Sequence, residues 1–212
     1  MGYSRKAVIG FGWLSGLKIG TKVLSLGRII ILARLLTPRD FGVFGLTTAV
    51  LALVERLSET GINTFLIQRS GSIQPYVNTA WVLSIVRGVL ITLLILLSAL
   101  FLPSFYHEQR LFFMLMIASA IPFIKGFINP SIIQFWKNLK YDREAYLRFI
   151  LAFIEATSAV FFTLWLKSAL ALVYAILVSA VVEVIISQTF VTPRPRWTLS
   201  FKRLKEILRM SG

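Results

Sequence analysis

LARLLTPRDFGVFG, residues 32–45, separates two long apolar segments with two arginines, a proline and an aspartate. Thr37 is suited to cap a new helix, Pro38 suits its first turn, and Asp40 stands where the acidic residue of a capping box belongs. The two arginines are expected to hold the turn at a membrane interface. The stretch therefore predicts that one helix ends here, that a second begins at once, and that the two form a tight antiparallel hairpin.

The composition places the chain in a membrane. Of its 212 residues, 57% are hydrophobic and only 15% are charged, and the mean hydropathy is +0.78, which is too apolar for soluble domains. The net charge is +14, but most basic residues flank apolar segments, so nucleic acid is not expected as a partner. The chain has no cysteine, which excludes disulfides and thiol nucleophiles.

Six apolar segments are long enough to cross a bilayer as helices, which takes about 20 residues each. They cover residues 8–36, 41–67, 79–102, 111–135, 146–166 and 169–191. The expected fold is an all-α integral membrane bundle of six transmembrane helices within residues 1–192, followed by a basic amphipathic cytoplasmic connector over residues 193–212. Lysine and arginine are concentrated on the side that bears both termini, so the termini are predicted to be cytoplasmic.

Ten ionisable side chains fall inside these segments, where each costs about 2.5–3.5 kcal/mol near a helix centre. They are Lys18, Lys22, Arg28, Arg56, Arg87, Lys125, Glu55, Glu59, Glu155 and Glu183. At such depth they should face protein or water, and all but two are predicted to line a cavity for substrate. Glu155 and Glu183 are instead predicted either to pair with Arg87 or to couple transport to protons.

Two lysine–glutamate pairs are possible across the first hairpin. Lys22 and Glu55 lie at equal distances from the turn, and so do Lys18 and Glu59. Two interpretations remain open. The pairs either neutralise one another within the fold, or the carboxylates compete with an anionic substrate for the lysines.

The first helix also carries glycines at every fourth position, Gly12, Gly16 and Gly20. Such a stripe lets helices approach closely or lets one helix bend. Lys18 and Lys22 lie about 200° around the helix from stripe glycines, so they are predicted to point away from that contact.

The fourth segment contains IPFIKGFINP, residues 121–130, in which two prolines and a glycine interrupt an apolar run. Proline removes a helical hydrogen bond, so a kink is expected there. Lys125 and Asn129 are four residues apart and are predicted to share one polar face. That face is expected either to line the cavity or to pack on neighbouring helices.

Three stretches of the sequence resemble one family. GRIIILARLLTPRDFGVFGL at 27–46, ETGINTFLIQR at 59–69 and the basic PRPRWTLSFKRLKEILR at 193–209 resemble the Wzx-type polysaccharide exporters, the O-antigen flippases of the multidrug/oligosaccharidyl-lipid/polysaccharide superfamily. The resemblance covers nearly the whole chain. Family members consist of two six-helix lobes around a central cavity, so this chain corresponds to the N-terminal lobe and the connector.

The resemblance implies a transporter and not an enzyme. Its expected activity is flipping of a polyprenyl-diphosphate-linked oligosaccharide across the bacterial cytoplasmic (inner) membrane by alternating access. The expected partners are membrane lipid, the lipid-linked oligosaccharide, and a second lobe or a second copy of the chain. No cofactor or metal is expected, although coupling to a proton or sodium gradient stays open.

Three alternatives remain. A drug or metabolite antiporter of the same superfamily would carry a solute without a polyprenyl tail. A polytopic glycan polymerase or ligase needs acid, base or metal-binding groups in a sizeable loop, whereas the outer loops are short and the lone His107 is most simply an interfacial residue. An inactive fragment is the third. In the tail, the apolar side of an amphipathic helix is predicted to touch anionic lipid.

Overall fold

The computed structural model describes residues 3–58, 61–68, 73–137 and 141–211, which contain ten α-helices and no β-strand. The first five helices are α1 (Tyr3–Leu35), α2 (Pro38–Leu57), α3 (Ile62–Gln68), α4 (Gln74–Phe105) and α5 (Arg110–Ala118). They are followed by α6 (Ala120–Gly126), a 3-10 helix (Pro130–Ile133), α7 (Gln134–Lys137), α8 (Tyr141–Leu166), α9 (Leu170–Phe190) and α10 (Phe201–Ser211).

The turn that opens α2 has the predicted capping box. The backbone N–H of Thr37 donates to Asp40 Oδ2 at 3.0 Å, and the backbone N–H of Asp40 donates to Thr37 Oγ1 at 3.3 Å. Pro38 occupies the first turn, where it leaves no N–H unsatisfied. The local chemistry of residues 37–40 therefore starts the helix as the sequence indicates.

The predicted hairpin between the first two helices is wrong. Helix α1 packs along α8, whereas α2 packs against α4, α5 and α9. At the end of α1, Leu32 and Leu36 are buried with Ala159 of α8 and with Leu172 and Ala175 of α9. A short turn fixes only where the chain re-enters the bundle, and burial of these leucines decides which helix α1 follows.

Two predicted helices are interrupted. The segment 41–67 forms α2 and then, after Gly61 with a φ of 58°, the separate helix α3. The segment 111–135 is divided into α5, α6, the 3-10 helix and α7. Pro122 cannot donate to the carbonyl of Ala118, so one helical hydrogen bond is missing between α5 and α6, although Ser119 keeps helical φ and ψ values.

The break after α6 is stabilised by side chains that satisfy its backbone. The carbonyl of Phe127 accepts hydrogen bonds from Trp81 Nε1 at 3.1 Å and from Gln188 Nε2 at 2.7 Å. The amide of buried Asn129 donates to the carbonyls of Val191 and Pro193, both at 3.1 Å. Irregular backbone at membrane depth is tolerated where protein buries it in this way.

The helices run between two ends of the bundle. The turns at 36–37, 106–109 and 167–169 lie together around one cleft. We call this end of the bundle the turn end. At the opposite end, the chain after α9 is bonded to the break after α6 and to the start of α4, since Asn78 donates to Thr198 Oγ1. We call this the tail end.

Three helices within the described residues are long and apolar enough to cross a membrane. They cover Gln74–Phe105, Asp142–Leu166 and Leu170–Phe190. Helix α2 is long enough but carries Arg39, Asp40, Glu55 and Arg56, and the α5–α7 region is broken into short pieces. Exposed leucines on α4, including Leu93 and Leu97, form a surface suited to lipid.

Exposed tryptophan and tyrosine side chains mark two levels along the bundle. Tyr106 and Trp165 lie at the turn end, and Tyr146 and Trp197 lie at the tail end. These are the only exposed Trp and Tyr side chains among those the structure describes. On α8, Tyr146 and Trp165 are nineteen residues apart, about 28 Å. This separation matches a hydrocarbon core of about 30 Å flanked by aromatic belts.

Two glycines bring α4 and α6 into backbone contact. A Cβ at Gly88 would lie 2.7 Å from the carbonyl oxygen of Pro122, and one at Gly126 would lie 3.1 Å from Ile85 Cα. Because the obstructing atoms belong to the backbone, they cannot move aside as a side chain would. The close crossing of α4 and α6 therefore requires both glycines.

Gly88→Ala is accordingly expected to lower the stability of the protein by about 1–3 kcal/mol, because α4 and α6 must separate. The matched control is Gly45→Ala on α2, where nothing lies within 4 Å of the added Cβ. Helix propensity predicts that this control is neutral or slightly stabilising. Thermal unfolding in detergent measures both, and equal stability of the two variants would contradict the close crossing.

The turns at the turn end are joined by ion pairs. Arg39 Nε donates to Glu108 Oε2 at 2.7 Å, and Arg110 lies 3.4 Å from Asp40 Oδ1. The hydrogen bond from Arg39 holds the pKa of Glu108 below its ordinary value of 4.5. The start of α2 is therefore tied to the loop between α4 and α5.

This pair predicts a pH dependence. A lowered folded-state pKa means that its stabilisation is complete above the ordinary pKa and is lost as pH falls through the folded-state value. The melting temperature of Glu108→Gln should be below that of the unmodified protein at pH 7. The two should converge as the pH falls below 4.5 and through the lowered folded-state pKa of Glu108. A difference that stays constant over this range would show that the ion pair contributes nothing.

Candidate functional site

A polar cavity of about 340 Å³ lies between α2, α4, α6, α8 and α9. Its lining contains the charged residues Glu55, Arg87, Lys125, Arg148 and Glu183. Four of these five are among the residues singled out from the sequence. The three basic side chains outnumber the two carboxylates, so the cavity favours an anion.

Arg87 is held against the end of α2. Its Nη2 donates to the backbone carbonyl of Glu55 at 2.9 Å, one of the last carbonyls of α2 and without a partner in the helix. A guanidinium is favourable there because the helix dipole places partial negative charge at the C-terminus. Its Nε is buried and has no hydrogen-bond partner within the described part of the chain. Arg87 thus has donor capacity that the protein leaves unused.

Lys125 is the most available cation of the cavity. It lies in the last turn of α6, is half-buried, and has no ion pair or hydrogen bond in the part of the chain that the structure describes. The Glu55 carboxylate is likewise half-buried and has no such contact with any described residue. These two side chains are therefore free to respond to a bound group.

Arg148 also lines the cavity, although it was not singled out from the sequence. It lies in the second turn of α8, with its Nη1 4.0 Å from Glu183 Oε1 and its Nε 3.7 Å from Glu144 Oε1. The four-residue spacing from Glu144 was the available signal, because it places both side chains on one helix face. Glu183 pairs with this arginine and not with Arg87.

Glu155 is also not a partner of Arg87. It forms an ion pair with Arg28, which joins α8 to α1, and neither residue lines the cavity. Their side chains are 24% and 30% exposed, and the buried Nε of Arg28 has no hydrogen-bond partner among the described residues. Arg28 therefore lies away from this cavity, because packing of α1 on α8 brings it to this carboxylate.

The remaining predicted residues of the first hairpin do not meet. Lys18, Lys22 and Arg56 are exposed and do not line the cavity. The Lys22–Glu55 pair does not form, because α1 packs on α8 and away from α2. Glu59, and with it the pair to Lys18, lies outside the described residues.

The close helix contact predicted for the glycine stripe of α1 is confirmed at one position. A Cβ at Gly20 would come within 3.1 Å of the Phe149 ring on α8, whereas nothing lies within 4 Å at Gly16. The contacts of Gly12 lie outside the described side chains. Lys18 and Lys22 are exposed, as expected of residues that point away from the contact.

Asn129 does not line the cavity either. The helix that carries Lys125 ends at Gly126. Asn129, four residues after Lys125, therefore lies outside that helix and does not share its face. The Asn129 side chain is fully buried, accepts from the Ser131 N–H at 2.9 Å, and donates to two carbonyls beyond α9. It is a structural residue of the break, not a cavity residue.

The cavity lies near the tail end. Arg87 is six residues, about 9 Å, along α4 from Trp81, whose ring packs 4.7 Å from that of Trp197 in the aromatic belt. Glu183 is seven residues, about 10 Å, from the end of α9. Arg87 and Glu183 thus lie about one third of the way into the bilayer, on the tail-end side of its middle.

The tail helix α10 is partly docked on the bundle. Ile207 is fully buried against α3 and α4, Tyr76 Oη donates to Glu206 at 2.8 Å, and Arg203 donates to the carbonyl of Pro75 at 2.6 Å. Trp197 and Phe201 remain exposed. The apolar side of the tail, which was predicted to touch lipid, therefore packs partly against the bundle and is partly exposed.

A family model described as polysaccharide biosynthesis protein matches residues 31–212. The chain belongs to this family. No curated protein and no solved structure matches it. Membership of the family and the three long apolar helices together assign the chain to the membrane and to polysaccharide biosynthesis. A cavity lined by charges is what such a membrane protein offers to a polar ligand.

The Arg28–Glu155 pair can be tested apart from the cavity. Arg28→Met or Glu155→Leu alone is expected to destabilise the protein by about 2–3 kcal/mol, because each leaves one charge unpaired at membrane depth. The double variant should recover part of this loss. A double-mutant cycle of thermal unfolding measures the coupling, and additive losses would show that the two side chains act independently.

Proposed function

We propose that the chain is one lobe of a transporter that flips a polyprenyl-diphosphate-linked oligosaccharide across the bacterial cytoplasmic membrane. The observation that carries this proposal is the cavity of Arg87, Lys125 and Arg148 between apolar helices in a polysaccharide biosynthesis protein. The polyprenyl tail of such a substrate can stay in lipid, whereas its diphosphate and sugars need a polar path. Resemblance to the Wzx-type exporters supports the same activity.

The charge pattern suits binding that can be reversed. A diphosphate is attracted to arginine and lysine in a cavity of low dielectric constant. Glu55 and Glu183 lie in the same lining and reduce that attraction, which keeps release possible. A transport site must bind strongly enough to admit its substrate and weakly enough to let it go.

In this proposal six passes cross the membrane, namely α1, α2, α4, α5–α7, α8 and α9. Both termini then lie on the cytoplasmic side. The exposed basic residues of the described tail end support that orientation, since Arg143, Arg194 and Lys202 lie there. The cavity would then receive its substrate from the cytoplasm.

The opposite wall of the transport path is supplied by a second lobe or a second copy. Lys22 is exposed on α1, and Gly20, two residues before it, contacts Phe149 just inside the level of Tyr146, so this charge lies at the edge of the hydrocarbon region, where an uncovered charge still carries a cost. A second six-helix unit across a water-filled path would remove that cost. Rocking of two such units about a shared site is a common route to alternating access.

Lys125→Gln gives the most direct test, because this lysine has no hydrogen bond or ion pair with a described residue that its loss would break. We expect flipping in cells to fall by about tenfold or more, the effect of losing one charge-assisted contact to the substrate. Surface polysaccharide and lipid-linked oligosaccharide on the cytoplasmic side report flipping. Lys202→Gln, an exposed lysine of α10, is the matched control and should leave both unchanged.

Other outcomes would replace the proposal. Full surface polysaccharide with Lys125→Gln at normal protein levels would remove the cavity from the mechanism. Export of a solute that lacks a polyprenyl tail would identify an antiporter. Lengthening or joining of glycans by the purified protein would identify a polymerase or ligase.

A further inference from the structure

A second cavity, of about 760 Å³, lies at the turn end, away from the proposed transport site. It is formed where α2, α5 and α9 begin. Arg39, Arg110 and Lys167 line it from three different turns. Asp40 is the one carboxylate among its lining residues, and Glu108, beside the lining, pairs with Arg39, so the three cations still outnumber the two carboxylates around them.

The carboxylate of Asp40 already accepts hydrogen bonds from within the protein. Asp40 is 6% exposed, and its Oδ2 accepts from both the backbone N–H and the hydroxyl of Thr37. Its other oxygen faces Arg110 at 3.4 Å. The side chains of Arg39 and Arg110 remain 66% and 62% exposed. Each guanidinium therefore keeps N–H groups available to a ligand.

Lys167 is held in an unusual backbone conformation. Its φ is 45°, a left-handed value that normally selects glycine at the end of a helix, and its N–H donates to the carbonyl of Thr163 at 2.9 Å. A lysine in this conformation costs about 1–3 kcal/mol. Its ammonium group has no partner among the residues that the structure describes. This backbone conformation thus holds the Lys167 ammonium group, which has no partner among the described residues, at the rim of the cavity.

The rest of the lining is apolar. Val43 and Met114 form buried parts of the wall, Leu170 is half-buried, and Phe113 is 61% exposed. Trp165, two residues before Lys167, belongs to the aromatic belt and marks the membrane interface at this level. A ligand seated here would have its charged group among the three cations and an apolar part in the membrane.

We propose that this cavity binds the phosphate headgroup of an anionic membrane lipid. The three cations supply the donors that a phosphodiester accepts, and Phe113 with the neighbouring lipid-exposed surface takes the start of the acyl chains. Free phosphate shares the charge but not the apolar contact. This site is independent of what the tail-end cavity transports.

The experiment uses the purified full chain in phosphatidylcholine nanodiscs, with phosphatidylglycerol titrated into the lipid. Thermal unfolding reports binding, because a ligand of the folded state raises the melting temperature with its concentration. We expect phosphatidylglycerol to raise it, and inorganic phosphate at the same concentration to leave it unchanged. Equal protection by inorganic phosphate would overturn the lipid as ligand.

Variants locate the effect. Lys167→Gln should weaken the apparent affinity for phosphatidylglycerol roughly tenfold, the loss expected for one charge-assisted contact. Lys202→Gln, the same change at the tail end, should not. Lys167→Gly separates binding from folding, because glycine relieves the left-handed strain. It should keep or raise the basal melting temperature and still lose affinity.

Two results would overturn the proposal. An equal loss of affinity in Lys202→Gln and Lys167→Gln would mean that bulk surface charge, not the cavity, attracts the lipid. An unchanged affinity in both Lys167→Gln and Arg110→Gln would show that the headgroup does not contact these cations.

Discussion

Backbone N–H and C=O groups that the fold buries cannot reach water, so the protein itself must satisfy them. This constraint is most visible at the break between α6 and the 3-10 helix. Trp81, Gln188 and Asn129 replace the hydrogen bonds that a continuous helix would have made. With the break secured, α6 ends where Lys125 can point into the cavity, and Gly88 and Gly126 let α4 approach beside it. The candidate site therefore depends on satisfied backbone as much as on its charges.

Local features of the sequence predicted local structure well. The capping box at Thr37, the all-helical architecture, and the helices that became α4, α8 and α9 are confirmed, because capping residues and apolar length act within a few turns. Continuity of the fourth segment was wrong. Its prolines predicted only a kink. The full break in the helix depends on hydrogen-bond partners from other helices, which the local sequence does not reveal.

Charge partners could not be predicted, because they depend on which helices touch. Depth alone paired Lys22 with Glu55, whereas packing of α1 on α8 gives Arg28 its contact with Glu155. Arg87, Lys125 and Glu55 do line one cavity, because they lie at similar depth on the neighbouring helices α2, α4 and α6. Arg148 was missed because the predicted segment began at residue 146, which put this arginine at a helix end, whereas α8 begins at Tyr141.

The packing of α1 has one more consequence. Over most of its length this helix rests on a single neighbour, while α2, α4, α5, α6 and α9 share a common core. Detaching it therefore exposes far less buried surface than unfolding the rest, and the two events have different free energies. Opening of α1 alone is therefore expected to require less free energy than unfolding of the remaining bundle.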